Sequence, residues 1–352
     1  MKEIREIVAA LAAAPAGAPP AVLVTLVKLA GSAYSGPGAR MLVLPGGAIA
    51  GTFGAGCFEQ DLVGHAERAR AAGAAATVSY DLTVDDDKPW GLGMGCRGKL
   101  DLLLEPVSAG ITPEVLTFLV EAARARRAAA VATVFRTGGD PALALGDRLL
   151  LRADGVSGGD FGSGALRTVV KAAARDALKK RRTTTLVHPV AGGEAEILVE
   201  YVPPPIVLVA GGAGRDTAPL GRLADELGWD VRLLAKDEMP AALDARTAAV
   251  VMSHQLAWDT ALVAALLPSA CGYVGLLGSH ARTAEILAEL RRRGQTPTPR
   301  QLAKLHAPAG LDVGAETPGE VALSIVAEIQ AVFAGRRGGP LRKRKGPIHD
   351  RA

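Results

Sequence analysis

The sequence predicts an α/β protein of two domains: an N-terminal α+β domain over residues 1–202, then a C-terminal parallel-sheet domain over residues 203–335, with a basic tail over residues 336–352. Three observations predict it. Ile206-Val207-Leu208-Val209-Ala210 is short, β-branched and wholly apolar, as a buried parallel strand must be. The turn Gly211-Gly212-Ala213-Gly214 follows it, then Leu220, Leu223, Ala224 and Leu227 at helical spacing, then Val231-Arg232-Leu233-Leu234 as a second strand. This is one βαβ unit, and it makes the second domain Rossmann-like. Pro203-Pro204-Pro205 cannot sit inside a central strand and forms a stiff linker ahead of it.

The chain's 352 residues, 49% of them hydrophobic, suffice for two separate cores. A formal net charge of +4 is small for this length, and the basic run Arg342-Lys343-Arg344-Lys345 reads as a solvated tail, so no nucleic-acid surface is expected. Glu3 and Glu6, with Pro15, Pro19 and Pro20, make a poor secretory segment, and a cytoplasmic protein is expected. Residues 260–279 are uncharged, but Pro268, Ser269 and several glycines divide them into helix, turn and strand, which excludes a membrane span. Three cysteines, an odd number, argue for reduced thiols.

In the first domain, Ile4, Ile7, Val8 and Leu11 mark an opening helix over residues 2–13. Residues 21–29 form a strand that runs into the glycine-serine loop of residues 31–38. Met41-Leu42-Val43-Leu44 and Ala48-Ile49-Ala50-Gly51-Thr52 flank Pro45-Gly46-Gly47 and read as a hairpin. Gly54-Ala55-Gly56-Cys57-Phe58-Glu59 then leads into a helix. There the helix dipole and orphan N–H groups favour a thiolate at Cys57; the other reading is a small buried residue at a tight turn. Glu59 is a helix-start carboxylate or a proton carrier. A strand at residues 77–80 precedes an acidic stretch and the loop Gly91-Leu92-Gly93-Met94-Gly95-Cys96-Arg97-Gly98, whose alternating glycines suit an anion-binding concavity with Arg97 adding charge and Cys96 a second thiol. Further strands are expected at residues 99–105, 129–134, 148–152, 183–188 and 195–201, with helices at 112–127 and 166–180. His188 is a lone histidine with a structural role.

In the second domain, the buried strand Ala248-Ala249-Val250-Val251-Met252 ends in Ser253-His254, where an open α/β sheet faces its ligand crevice. A helix over residues 258–267 precedes the strand Gly272-Tyr273-Val274-Gly275-Leu276-Leu277. Gly278-Ser279-His280-Ala281-Arg282 then opens another helix, either as an anion site or with Ser279 as a simple cap. Cys271 reads as an inert core thiol. Thr317, Pro318 and Glu320 are the signature of a capped helix start.

Taken together these motifs resemble the XdhC/CoxI family, maturation proteins of molybdenum hydroxylases such as xanthine dehydrogenase. The likeness runs through Gly51-Thr52, Glu59-Gln60-Asp61, Gly93-Met94-Gly95-Cys96, Glu105-Pro106, Gly212-Ala213-Gly214-Arg215-Asp216, Leu227-Gly228-Trp229, Ser253-His254, Asp259, residues 273–279 and residues 310–324. The resemblance implies a chaperone more than an enzyme, one that binds the molybdenum cofactor (molybdopterin, as such or as a dinucleotide), and it leaves the question of an enzymatic activity open. It implies sulfuration of that cofactor with a cysteine desulfurase and delivery to an apo molybdenum hydroxylase, and a homodimer is the expected assembly. By that analogy Cys57 and Cys96 meet the molybdenum. Glu59, Arg97, Arg215, Ser253 and His254 line the cofactor site, and Gly212, Gly214, Gly278 and Ser279 receive phosphate.

The chain departs from the pattern at Arg215, where the family often has histidine, and at Ala235-Lys236, where a Rossmann site for NAD wants a carboxylate. An NAD(P)-dependent oxidoreductase, with Lys236 on a 2′-phosphate and His254 as proton carrier, is therefore the weaker alternative. A nucleotidyltransferase lacks the lysine and paired metal carboxylates it needs after the glycine turn.

Overall fold

The computed structural model describes residues 1–31, 35–52, 59–81, 98–162, 164–212 and 215–345, the side chain of Glu59 excepted. The chain divides into two compact units, one holding Met1–Pro204 and the other Pro205–Arg344.

The first unit opens with α1 (Lys2–Ala13), β1 (Ala21–Gly31), β2 (Arg40–Val43), β3 (Ile49–Ala50), α2 (Glu59–Ala72), β4 (Ala76–Asp81) and β5 (Gly98–Val107). Its remainder is α3 (Glu114–Arg124), β6 (Ala129–Arg136), β7 (Arg148–Arg152), β8 (Ser157–Gly158), α4 (Ala165–Lys180), β9 (Thr184–Val190) and β10 (Gly193–Val202). These are two copies of one αβββαββ module. Each forms a five-stranded antiparallel sheet, in the orders β3-β2-β1-β5-β4 and β8-β7-β6-β10-β9, so corresponding strands occupy the same places.

The copies hold each other reciprocally. Arg40, the first residue of β2, donates to both carboxylate oxygens of Glu200 on β10, at 3.1 and 2.6 Å. Arg148, the first residue of β7, does the same to Glu105 on β5. Gly38 and Gly146, at φ +99° and +90°, leave room for these carboxylates, since a Cβ would stand 2.5 Å from Glu200 Oε1 and 2.6 Å from Glu105 Oε1. Lys28 pairs with Glu196, and Arg136 with Asp101, in the same crossed sense. Between them lies a small core made equally by both copies, of Val27 with Phe135 and Leu103 with Leu198. On the shared side these four central strands bury Val27, Leu103, Phe135 and Leu198 together with the arginine-paired carboxylates Glu105 and Glu200, so each copy completes the burial of the other's sheet.

The second unit holds β11 (Val207–Gly211), α5 (Thr217–Glu226), β12 (Asp230–Leu234), β13 (Thr247–Val251), α6 (Leu256–Leu266), β14 (Tyr273–Leu276), α7 (His280–Arg292), α8 (Pro299–Leu302), β15 (Leu305–His306) and α9 (Pro318–Phe333). Its sheet is parallel throughout, in the order β12-β11-β13-β14-β15. The α/β expectation is met, with antiparallel sheets first and a parallel sheet second. Strands β11, β13 and β14 are buried on both faces, which explains their unbroken apolar sequences. Leu220 and Ala224 of α5 with Ala322, Ile325 and Ile329 of α9 cover one face. Trp258, Leu262 and Leu266 of α6 with Ile286 and Leu290 of α7 cover the other.

The uncharged residues 260–279 fall into α6, a turn and β14, and among the described residues no helix is long and apolar enough to cross a membrane. The helix read at residues 258–267 starts two residues earlier, at Leu256, and that read at 112–127 is shorter at both ends. Thr317 caps α9 with the reciprocal Glu320 bond and Pro318 at the first position.

Candidate functional site

In the second unit the chain leaves β11 for β12 on one side and returns to β13 on the other, so the strand order reverses between β11 and β13. The carboxyl ends of these strands border the crevice in which open α/β sheets bind ligands. Gly211 ends β11, Met252 follows β13, and the Met252 N–H donates to the Gly211 carbonyl at 2.8 Å. Gly212 comes so close to this partner that a Cβ would stand 2.7 Å from the Met252 carbonyl oxygen. The close approach of two strand ends therefore demands that glycine.

Ser253 and His254 lie at this edge, as their place after a strand predicts. The Ser253 hydroxyl donates to Asp259 Oδ1 at 2.5 Å, and its backbone N–H reaches the same oxygen at 3.2 Å. Asp259 Oδ2 accepts from the Arg282 guanidinium at 2.5 Å. The Asp259 side chain is 1% exposed and that of Arg282 25%. A buried carboxylate on α6 thus fastens the end of β13 to the start of α7. His254 is exposed, holds φ at 60°, and its Nε2 lies 3.0 Å from Asp216 Oδ2 at the start of α5.

Ser279 is the N-cap of α7, its hydroxyl accepting from the Arg282 N–H at 3.2 Å, so its capping role is realised. Gly278 has φ +143°, and a Cβ there would meet Arg282 Cδ at 2.8 Å. Arg215 is exposed beside the same edge. At the end of β12 the N–H of Ala235 donates to the Glu238 side chain at 2.8 Å, and Lys236 is exposed.

The structure thus brings together Gly212, Ser253 and His254 around the β11 and β13 ends, and Gly278 and Ser279 at the start of α7. Cys57, Cys96, Arg97 and Gly214 lie outside the described residues, and Glu59 is described only as the first residue of α2. Among the described residues no cluster of three or more His, Cys, Asp or Glu could hold a metal ion. Cys271 is buried, its thiol directed at the Thr247 and Tyr273 carbonyls, and burial pushes its ionisation up, in keeping with an inert core thiol.

Sequence reasoning passes over three residue groups. Asp216 and Asp259 enter it only as parts of motifs, although an aspartate inside an apolar helical run, as at Asp259, signals a buried charge in need of a partner. In the first unit, Tyr80 of β4 donates to Asp61 of α2 at 2.8 Å, with His65 3.4 Å from the same carboxylate. Burial lowers the His65 pKa. Between β14, β15 and α9, Glu328 accepts from Tyr273 O–H at 2.6 Å and the Gly310 N–H at 2.9 Å, and lies 3.1 Å from His306 Nδ1. Burial works against its charge, but these donors outweigh it and hold its pKa below the usual value. Burial and the Glu328 bond push the Tyr273 hydroxyl far up.

Comparison with known proteins gives this geometry a setting. The model of the XdhC Rossmann domain matches residues 208–329, the second unit's sheet and helices. The model of the XdhC and CoxI family matches residues 16–81 and 122–188, one segment in each αβββαββ copy. A Bacillus subtilis protein described as a probable subunit of xanthine dehydrogenase is 29% identical over 338 residues, covering 88% of this chain and 92% of its own. An uncharacterized Escherichia coli protein, YqeB, is 28% identical over 235 residues, covering 57% of this chain and 43% of its own. A crystal structure from Bacillus halodurans, described as a xanthine dehydrogenase, superposes with a TM-score of 0.72 at 23% identity, over 96% of this chain and 97% of that one.

Proposed function

Because the chain belongs to the XdhC/CoxI family, we propose that it is a maturation factor which binds the molybdenum cofactor, supports its sulfuration together with a cysteine desulfurase, and inserts it into an apo molybdenum hydroxylase of the xanthine dehydrogenase type. The observation that carries this reading is the family match on both units, residues 16–81 and 122–188 in the first and 208–329 in the second. It agrees with the Bacillus subtilis relative described as a probable subunit of xanthine dehydrogenase.

The residues present fit such a group by their chemistry. The crevice of the second unit offers a helix start at α7 with Arg282 in its first turn, the exposed Arg215, and His254 held by Asp216. Helix N-termini and guanidinium groups suit a phosphate. Cys57 and Cys96 are assigned to the molybdenum end because thiolates are soft ligands, and a bound cofactor would supply the metal and dithiolene chemistry that the chain itself lacks. Glu59 and Arg97 accompany those thiols in sequence.

The test is anaerobic equilibrium binding of purified molybdenum cofactor to the full-length protein, beside Cys57→Ala and Cys96→Ala, with NADPH as control ligand. Cofactor binding that weakens in either variant is the expected result. Binding of NADPH with indifference to the cofactor would overturn the proposal in favour of an oxidoreductase.

A further inference from the structure

The face of the second unit covered by α5 and α9 carries a cavity of about 180 Å³. Its floor is Leu220, Met252, Ala322 and Ile325, all buried, and its rim carries the carboxylates of Asp216 and Glu316. Met252 directly follows β13 and Asp216 directly precedes α5, so the cavity opens at the carboxyl end of the sheet beside the strand-order reversal.

Size, floor and rim each restrict what can enter. The volume admits one flat ring system and no dinucleotide. An apolar floor rewards removal of an aromatic face from water, while a few polar groups at the edge set its orientation. Two rim carboxylates repel phosphate and carboxylate groups and select an edge that presents N–H donors. His254 Nε2, 3.0 Å from Asp216 Oδ2, keeps one of these carboxylates at the rim. A ring N–H beside an exocyclic amino group offers parallel donors to a carboxylate, the same fork that makes guanidinium pairing bidentate.

We propose that this cavity binds the 2-amino-4-oxopyrimidine edge of a fused bicyclic ring, chemistry shared by a pterin and a guanine base. The choice of ligand rests on the cofactor reading above; the cavity does not. Phosphate is left to the guanidinium groups of the crevice, the exposed Arg215 and Arg282 at the start of α7.

The experiment titrates the full-length protein with pterin, with lumazine, in which an oxo group replaces the 2-amino group, and with GMP and CMP. The wild type is compared with Glu316→Gln and Ala322→Leu, the first an exposed position that does not endanger folding, the second a filler of the floor. Pterin or GMP is expected to bind, with a loss of about tenfold or more for lumazine or CMP respectively, and in both variants. Binding of pterin alone assigns the cavity to the pterin end of the cofactor, and binding of GMP alone to a nucleotide end. Equal binding of pterin and lumazine together with equal binding of GMP and CMP, or undiminished binding in both variants, would overturn the proposal. Whole cofactor measured on the same variants separates the two ideas. If Ala322→Leu and Glu316→Gln bind it normally, the cavity assignment fails and the maturation reading stands. If the wild type takes pterin but ignores the cofactor, the maturation reading fails and the cavity stands.

Discussion

Replacing Asp259 with alanine should destabilise the second unit by about 3–4 kcal/mol, and the figure follows from what the carboxylate holds. Its side chain is 1% exposed and accepts from the Ser253 hydroxyl at 2.5 Å, the Ser253 N–H at 3.2 Å and the Arg282 guanidinium at 2.5 Å. An unsatisfied buried N–H costs about 1–3 kcal/mol, and breaking a buried ion pair about 3–5. Arg282 is 25% exposed, so water reclaims part of its charge and the pair lies at the lower end of that range. The two losses share one carboxylate and do not simply add. Asp259→Asn keeps an oxygen acceptor for Ser253 but loses the charge and turns the acceptor that faces Arg282 into an NH2 donor, so it recovers only the Ser253 part of the loss and should cost about 1 kcal/mol less than alanine. The assay is urea unfolding in a Trp90→Phe background, where Trp229 and Trp258, both in the second unit, report by fluorescence. An alanine variant less than about 1 kcal/mol weaker, or an asparagine variant as weak as alanine, would refute the reasoning.

Three further outcomes are expected. Arg40→Ala should cost about 3–5 kcal/mol, because Arg40 and Glu200 are 2% and 9% exposed. Arg148→Ala, with side chains 12% and 15% exposed, should cost less, and thermal unfolding of the two variants checks the order. Gly212→Ala, which puts a Cβ 2.7 Å from the Met252 carbonyl oxygen, should cost about 1–3 kcal/mol and weaken any ligand held at the strand ends; calorimetry and binding read both. Glu328 has a folded pKa below its unfolded one. Its stabilisation is therefore whole above the ordinary carboxylate pKa of about 4.3, and is lost as pH falls through the folded value. Urea midpoints from about pH 6 to pH 3 should accordingly fall more steeply for wild type than for Glu328→Gln.

Signals that lie within a few residues were legible. Thr317, Pro318 and Glu320 announce the cap of α9 and form it, and Pro45-Gly46-Gly47 turns β2 into β3. The apolar runs of β11, β13 and β14 are parallel strands because both their faces are covered. What depends on distant partners was not legible. The two-residue β15 is a strand only because Leu305 and His306 pair with Val274 and Gly275 of β14. Neither Glu105 nor Glu200 reveals in sequence that it will be buried under an arginine from the other copy of the module. The duplication itself could have been read, since Gly51-Thr52-Phe53-Gly54-Ala55-Gly56-Cys57 and Gly159-Asp160-Phe161-Gly162-Ser163-Gly164-Ala165 share one glycine-phenylalanine pattern. At its last position the first copy has a thiol and the second has Ala165, so the cofactor reading gives the chemistry to one copy and leaves the other to complete the fold.

His254 offers a separate test of whether the crevice is shaped for a ligand. A non-glycine residue at φ 60° is strained, at roughly 1–2 kcal/mol, because its Cβ crowds the following carbonyl. Its side chain is 66% exposed, so core packing does not impose this conformation. The Asp216 pair is also exposed and returns about 0–1 kcal/mol. Arg126, Arg181, Asp237 and Ala242 hold the same left-handed φ, but of the five only His254 closely follows the carboxyl end of a central strand, the place where a fixed imidazole would serve a ligand. Glycine and alanine at this position both lose the imidazole, but only alanine keeps the crowded Cβ. His254→Gly should therefore be more stable than His254→Ala by about 1 kcal/mol, the reverse of their order in an ordinary helix, while both bind ligand equally poorly. Alanine as stable as glycine would mean that the backbone relaxes freely, and the strain would then say nothing about function.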